Sequence, residues 1–141
     1  MSSRIKIKLP SNMEYLGVPD ALLMEIGSEM ECSKQSLEEL GTSVIEACTN
    51  AMEHGNSLDD HLPVEVIYEI EPHRIIITVL DEGPGFDYAN WVPDVDVMRA
   101  RGRGIQIMRE FTDELEFGRS SDGRFMIRLV KQLAPATADE A

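Results

Sequence analysis

The sequence predicts an α/β chain in which a largely antiparallel sheet is covered on one face by helices. Three observations carry this. Some segments alternate apolar and polar residues with a period of two, others repeat apolar residues at helical spacing, and they follow one another as strand, two helices, two strands, a long connection, helix and two strands. The chain has 141 residues and is 43% hydrophobic, enough for one modest core and too apolar for a wholly disordered chain. Without an internal repeat or a Pro- or Gly-rich linker, it reads as a single domain over residues 1–133 followed by a flexible C-terminal tail, 134–141.

Each element has its own warrant. Ile5, Ile7 and Leu9 alternate with Lys6 and Lys8, the pattern of a short edge strand with one buried face. From Met13 to Met30 the positions Leu16, Leu22, Leu23, Ile26 and Met30 repeat at helical spacing, with Pro19 in the first turn. Ser33 and Ser36 are both N-cap candidates for a second, longer helix, and Ser36 with Glu39 has the spacing of a capping box. Its apolar stripe is Leu37, Leu40, Val44, Ala47, Cys48 and Ala51, and His54, Gly55 and Asn56 form its exit. Val64–Ile70 and Arg74–Leu80, rich in Val and Ile around Glu71, Pro72 and His73, make a hairpin. Residues Asp87–Arg101 hold no sustained period, apart from one helical turn near Val95–Met98, and are long for a plain connection, so they read as a lid. A short helix through Ile105, Ile107, Met108 and Phe111 follows, then strands around Leu115–Phe117 and Phe125–Leu133.

Charge narrows the class of partner. With 26 acidic against 13 basic residues the net charge is −13, which opposes direct nucleic-acid binding and anionic membranes. It suits a basic partner, or a ligand whose phosphates are masked by a cation. No apolar run reaches membrane-spanning length and the start, MSSRIKIKLP, lacks a secretory apolar stretch, so a cytoplasmic protein is expected. Cys32 and Cys48, with no CxxC pair, are expected as reduced thiols and not as a disulfide or zinc framework.

Three segments carry residues suited to chemistry. Glu46 and Asn50 lie one helical turn apart on a face roughly opposite the apolar stripe: a carboxylate that can take a proton, and a neutral amide oxygen that suits a hard divalent cation. At the end of the second hairpin strand, Asp81 can accept from an exocyclic amine, Gly85 can take a positive φ, and Gly83 and Gly85, followed by Phe86, leave room for a flat ring. Arg101, Gly102, Arg103 and Gly104 precede a helix, where free backbone N–H groups and arginines hold phosphate oxygens. Each also has an ordinary structural reading: a solvated helix face, a tight turn, a helix entrance. The last segment is neither a Walker A loop, since no GKS or GKT follows, nor a dinucleotide fingerprint, since no βαβ unit opens there. Taken together, in this order, they suit one mononucleotide, ATP with Mg2+, with the cation masking the phosphates from the acidic protein.

EACTNAMEHGN resembles the N box, DEGPGF the first glycine box and RGRGIQIMREFTDELEF the second glycine box of the GHKL ATPase superfamily. Within it, the chain resembles the small bacterial anti-sigma factor serine/threonine kinases of the general-stress and sporulation type. The resemblance implies a two-layer α/β sandwich of the Bergerat fold, with a mostly antiparallel mixed sheet and an ATP site between the long helix, the sheet and the lid. It implies Glu46 as general base, Asn50 as the Mg2+ ligand, Asp81 on the adenine amine, Gly85 against the ring, and Gly102 and Gly104 on the phosphates. It further implies phosphorylation of an anti-anti-sigma STAS-domain protein, sequestration of a sigma factor, and a homodimer with the first strand or first helix near its interface. Two other outcomes stay open: a non-catalytic nucleotide-binding partner switch, or the ATP-binding component of another phosphorelay.

The chain departs from its relatives in the late hairpin. They often carry threonine after the glycine near the adenine, whereas here Gly123 precedes Arg124 and Phe125. His54, His61 and His73 fall at a helix end, a loop and a turn, which argues against a complete sensor histidine kinase. Trp91, Val92 and Val97 in the lid either meet a partner or pack the lid down, and the acidic helix residues Glu14, Asp20, Glu25, Glu29 and Glu31 either face a basic sigma-factor segment or solvent.

Overall fold

The computed structural model describes residues 2–85 and 103–136. Its strands are β1 (Ser3–Pro10), β2 (Pro63–Glu71), β3 (Arg74–Asp81), β4 (Glu114–Arg119) and β5 (Phe125–Gln132), and its helices α1 (Gly17–Ser28), α2 (Lys34–Thr49) and α3 (Arg103–Phe111). The five strands lie in the order β1-β2-β3-β5-β4. All four pairings are antiparallel, so the mixed sheet expected from the resemblance has no parallel pair among the described residues. The reason is topological: β3 and β4, joined through α3, do run in the same direction, but β5 lies between them and pairs antiparallel with both.

The period of two in the strands sorts the faces. Val64, Val66 and Tyr68 of β2, Ile75, Ile77 and Val79 of β3, and Phe125, Ile127 and Leu129 of β5 join one core with the α2 stripe Leu40, Val44, Ala47, Cys48 and Ala51. Leu23 of α1 and Ile105 and Met108 of α3 complete that core. Burying each large side chain contributes about 1.5–3 kcal/mol, and the fully buried Tyr68 has its hydroxyl satisfied by donating to the Pro19 carbonyl at 2.7 Å. β1 is an edge strand, as its short alternation predicts.

Local chemistry decided two boundaries differently from the sequence pattern. Residues 13–30 divide into a 3-10 turn, Met13–Tyr15, capped by the Asn12 side chain on Glu14 N–H, and α1, with Pro19 in its first turn. For α2 the cap is Ser33, whose Oγ accepts from Ser36 N–H at 3.0 Å, and not the Ser36–Glu39 box. Glu39 instead faces Lys131 at 3.9 Å, and Ser36 Oγ accepts from Ala134 N–H at 3.2 Å. Ser33 N–H in turn donates to Ala134 O at 2.7 Å, so the end of β5 is strapped to the start of α2.

Candidate functional site

The α-helical hydrogen bonding of α2 ends at Thr49, and the backbone continues as a π-helical stretch, Asn50–Gly55. Such wide turns are frequent at functional sites because they redirect side chains within a helix. Helical periodicity assigns Glu46 and Asn50 to a polar, solvated face, and the structure corrects this for Asn50, which is only 7% exposed. α3 roofs that face: a methyl group at Gly104 would stand 2.7 Å from Glu46 Oε2. The base candidate of the first segment and the helix start of the third are therefore in contact. Asn50 Nδ2, shielded from solvent, has no hydrogen-bond partner among the described residues, and a buried amide left so is costly unless a ligand satisfies it.

Asp81 closes β3 and is 2% exposed; its Oδ1 accepts from Gly83 N–H at 2.8 Å. Its carboxylate lies against Gly55 at the exit of α2, where a methyl group would stand 2.3 Å from Asp81 Cγ. A methyl group at Gly83 would stand 1.9 Å from the Gly55 carbonyl oxygen. The end of β3 and the exit of α2 thus meet backbone to backbone, an approach that only glycine permits. Gly85 has φ +72°, the left-handed region glycine was expected to supply at this turn. Arg103 and Gly104 open α3, the arginine exposed and the glycine buried. Arg101 and Gly102, Phe86, and the whole lid Asp87–Arg101 with Trp91, Val92 and Val97 lie outside the described residues.

Two residues at the site escaped sequence reasoning. Asn56, 1% exposed, accepts from Glu82 N–H at 2.8 Å and donates through Nδ2 to Ser11 Oγ (2.9 Å), Leu62 O (3.0 Å) and Pro63 O (3.2 Å). It ties the end of β1, the start of β2 and the Asp81–Gly85 turn to the exit of α2. Arg119 donates through Nη1 to Gly83 O and Gly123 O, both at 3.2 Å, and through Nη2 to Pro84 O. Asn56 does carry a sequence signal, an asparagine just past a helix-ending Gly, but that reads as local punctuation. Arg119 has none, because only the strand register brings it to the turn.

Beneath the site Glu65, 3% exposed, is held by Lys6 and Arg124, each at 3.4 Å. Burial raises its pKa, but the hydrogen bonds and charges of Arg124 and Lys6 outweigh burial and hold it below the usual value. Arg124 also binds Asp122 at 2.9 Å, so the departure at Gly123-Arg124 fastens the late hairpin to β2.

The donor set fits a magnesium ion. Asn50 could offer its neutral Oδ1 to such an ion, while its Nδ2, a buried donor with no partner among the described residues, could give to a phosphate oxygen; Glu46 lies one turn away. Among the described residues no three His, Cys, Asp or Glu side chains gather as a protein-built metal cage. An ion here would take most of its ligands from phosphate and water, the arrangement magnesium prefers in nucleotide sites. No helix among the described residues is long and apolar enough to cross a membrane.

Comparison with known proteins agrees with this geometry. The model of the histidine kinase-like ATPase domain matches residues 9–131. The serine-protein kinase RsbW of Bacillus subtilis is 30% identical over 120 residues, covering 79% of this chain and 75% of its own. That of Bacillus licheniformis is 32% identical with the same coverage. Among solved structures, one of the RsbU and RsbW domains of a Mycobacterium tuberculosis protein shares the fold, with TM-score 0.68 and 16% identity over 96% of this chain. This chain spans 35% of the chain in that structure. The chain therefore belongs to the histidine kinase-like ATPase domain family, in the branch of the RsbW serine-protein kinases.

Proposed function

We propose that this chain is an ATP- and Mg2+-dependent anti-sigma factor kinase that phosphorylates a serine or threonine of an anti-anti-sigma STAS-domain protein and sequesters a sigma factor. The observation that carries the reading is the contact of Glu46 with Gly104, which sets a carboxylate beside the phosphate-binding helix start, one turn before the buried, partly unsatisfied Asn50. Kinship with the RsbW serine-protein kinases supports the reaction class.

In this reading Asp81 accepts from the adenine amine and Gly83 and Gly85 let the ring lie against the backbone. Gly102 and Gly104, with Arg101 and Arg103, hold the phosphates at the start of α3. Asn50 holds magnesium, which neutralises phosphate charge when bound. The acceptor hydroxyl oxygen forms a bond to the γ-phosphorus while the bond from that phosphorus to the β–γ bridging oxygen breaks. Glu46 takes the hydroxyl proton, and ADP leaves with the electron pair. Positioning and charge neutralisation do most of the catalysis in such transfers, which matches a site with one base and few other reactive groups. The acidic surface, net −13, suits a basic sigma-factor segment, and the open edge of β1, with helix α1, is the face proposed for a homodimer.

The test is transfer from γ-labelled ATP with Mg2+ to candidate STAS-domain proteins. Label on a serine or threonine of one of them is expected. ATP binding without label on any of them would contradict the kinase reading and leave a nucleotide-gated partner switch.

A further inference from the structure

Register places three side chains in one row across the sheet. Asp81 pairs with Phe125, and Phe125 pairs with Arg119, so all three share the helix-covered face at the nucleotide end. Phe125 is 4% exposed, and its ring lies under Gly85: a methyl group there would stand 2.5 Å from the ring. Phe117 stacks beside it at 6.4 Å between centroids and 15° between planes. Over the ring, 5.7 Å from its centroid, stands the Arg119 guanidinium.

The partners of Arg119 are unusual for so acidic a chain. Despite 26 acidic residues, no carboxylate among the described residues lies within ion-pair distance of it. Its planar fork instead meets the carbonyls of Gly83, Pro84 and Gly123. A guanidinium can reach two sides of a turn at once while its face covers an aromatic ring, which a lysine cannot do.

We propose that Arg119 is a positioning residue for the nucleotide base. It clamps the Gly83–Gly85 turn onto Phe125, which fixes the spacing between Asp81 and Gly85 and makes the Phe125 ring the apolar floor under that turn. Base recognition then rests on the Asp81 carboxylate and on a rigid turn. This inference rests on the reading of Asp81–Gly85 as the base subsite.

The test compares ATP and ITP, which carries a carbonyl in place of the exocyclic amine, by calorimetric binding to the wild type, Arg119→Gln and Arg119→Lys. The wild type is expected to prefer ATP. Arg119→Gln should lose about tenfold in ATP affinity and most of the preference, the loss falling on KM for ATP more than on kcat at saturating ATP. Arg119→Lys should recover only part of the loss. A wild type that binds ATP and ITP alike would overturn the base-subsite reading and the proposal with it. A wild type that prefers ATP, with Arg119→Gln keeping both affinity and preference, would overturn the role of Arg119 alone and leave the subsite standing. Equal weakening of ATP and ITP, or full recovery in Arg119→Lys, would likewise overturn the clamp in favour of simple charge.

Discussion

Replacing Gly104 with alanine separates the chemistry of the site from the stability of the fold. The new methyl group would stand 2.7 Å from Glu46 Oε2, but 3.5 Å from its Cβ and 3.6 Å from its Cδ. Ordinary contact begins at 3.4 Å, so the carboxylate oxygen must retreat by about 0.7 Å, which a flexible side chain can do by turning. That rotation costs about 0.5–1.5 kcal/mol, and the gain in helix propensity from Gly to Ala, about 1 kcal/mol, offsets it. Net stability should change by less than about 1 kcal/mol, a melting shift of no more than about 4 °C. Activity should respond far more. A positioned base contributes roughly 10²- to 10⁴-fold, and displacement by a fraction of an ångström to an ångström removes about 10²-fold of it. The same methyl crowds the phosphates at the helix start, so ATP affinity should fall as well. Differential scanning fluorimetry paired with single-turnover transfer makes the comparison. A variant that melts like the wild type and transfers phosphate at the wild-type rate would refute the link between Gly104, Glu46 and catalysis.

Two further outcomes follow from buried groups. Burial pushes the Cys48 thiol from 9.0 up to about 12 and raises the Tyr68 phenol too. Above pH 9 the unfolded chain therefore gives up these protons first, ν_U falls below ν_N, and stability drops by about 1.4 kcal/mol per pH unit for each group in its window. Urea midpoints should fall between pH 8 and 10.5, and less steeply in Cys48→Ala; equal slopes in the two proteins would contradict the assignment to Cys48. Asn56→Ala removes the acceptor of Glu82 N–H and the donor to Ser11, Leu62 and Pro63, so it should cost about 2–4 kcal/mol in urea unfolding. A cost under about 1 kcal/mol would show that water replaces it.

Sequence pattern resolved what depends on neighbours in the chain. The β2–β3 hairpin was legible from two β-branched runs around Pro72-His73, and the buried face of α2 from Leu40, Val44, Ala47 and Ala51, because both signals are local periodicities. The positive φ of Gly85 was legible for the same reason. Contacts made across the fold were not. Asn50 reads as a surface residue until α3 is laid over α2, and Arg119 reads as an ordinary strand-end arginine until β5 sets it in register with Phe125 and Asp81. The α2 cap was ambiguous because Ser33 and Ser36 are both good local candidates. Ala134, 98 positions from Ser36, is bound by both serines and completes the arrangement around the Ser33 cap.

The placement of Glu46 beside the proposed phosphate-binding start of α3 is the central claim, and Glu46→Gln tests it most directly. Single-turnover transfer of labelled phosphate to the STAS-domain acceptor, measured with ATP affinity on the same sample, is the measurement. The account predicts ATP binding within about twofold of the wild type and transfer slowed by at least about 10²-fold, since glutamine keeps the shape but cannot take the proton. Transfer at the wild-type rate by the glutamine variant would contradict it.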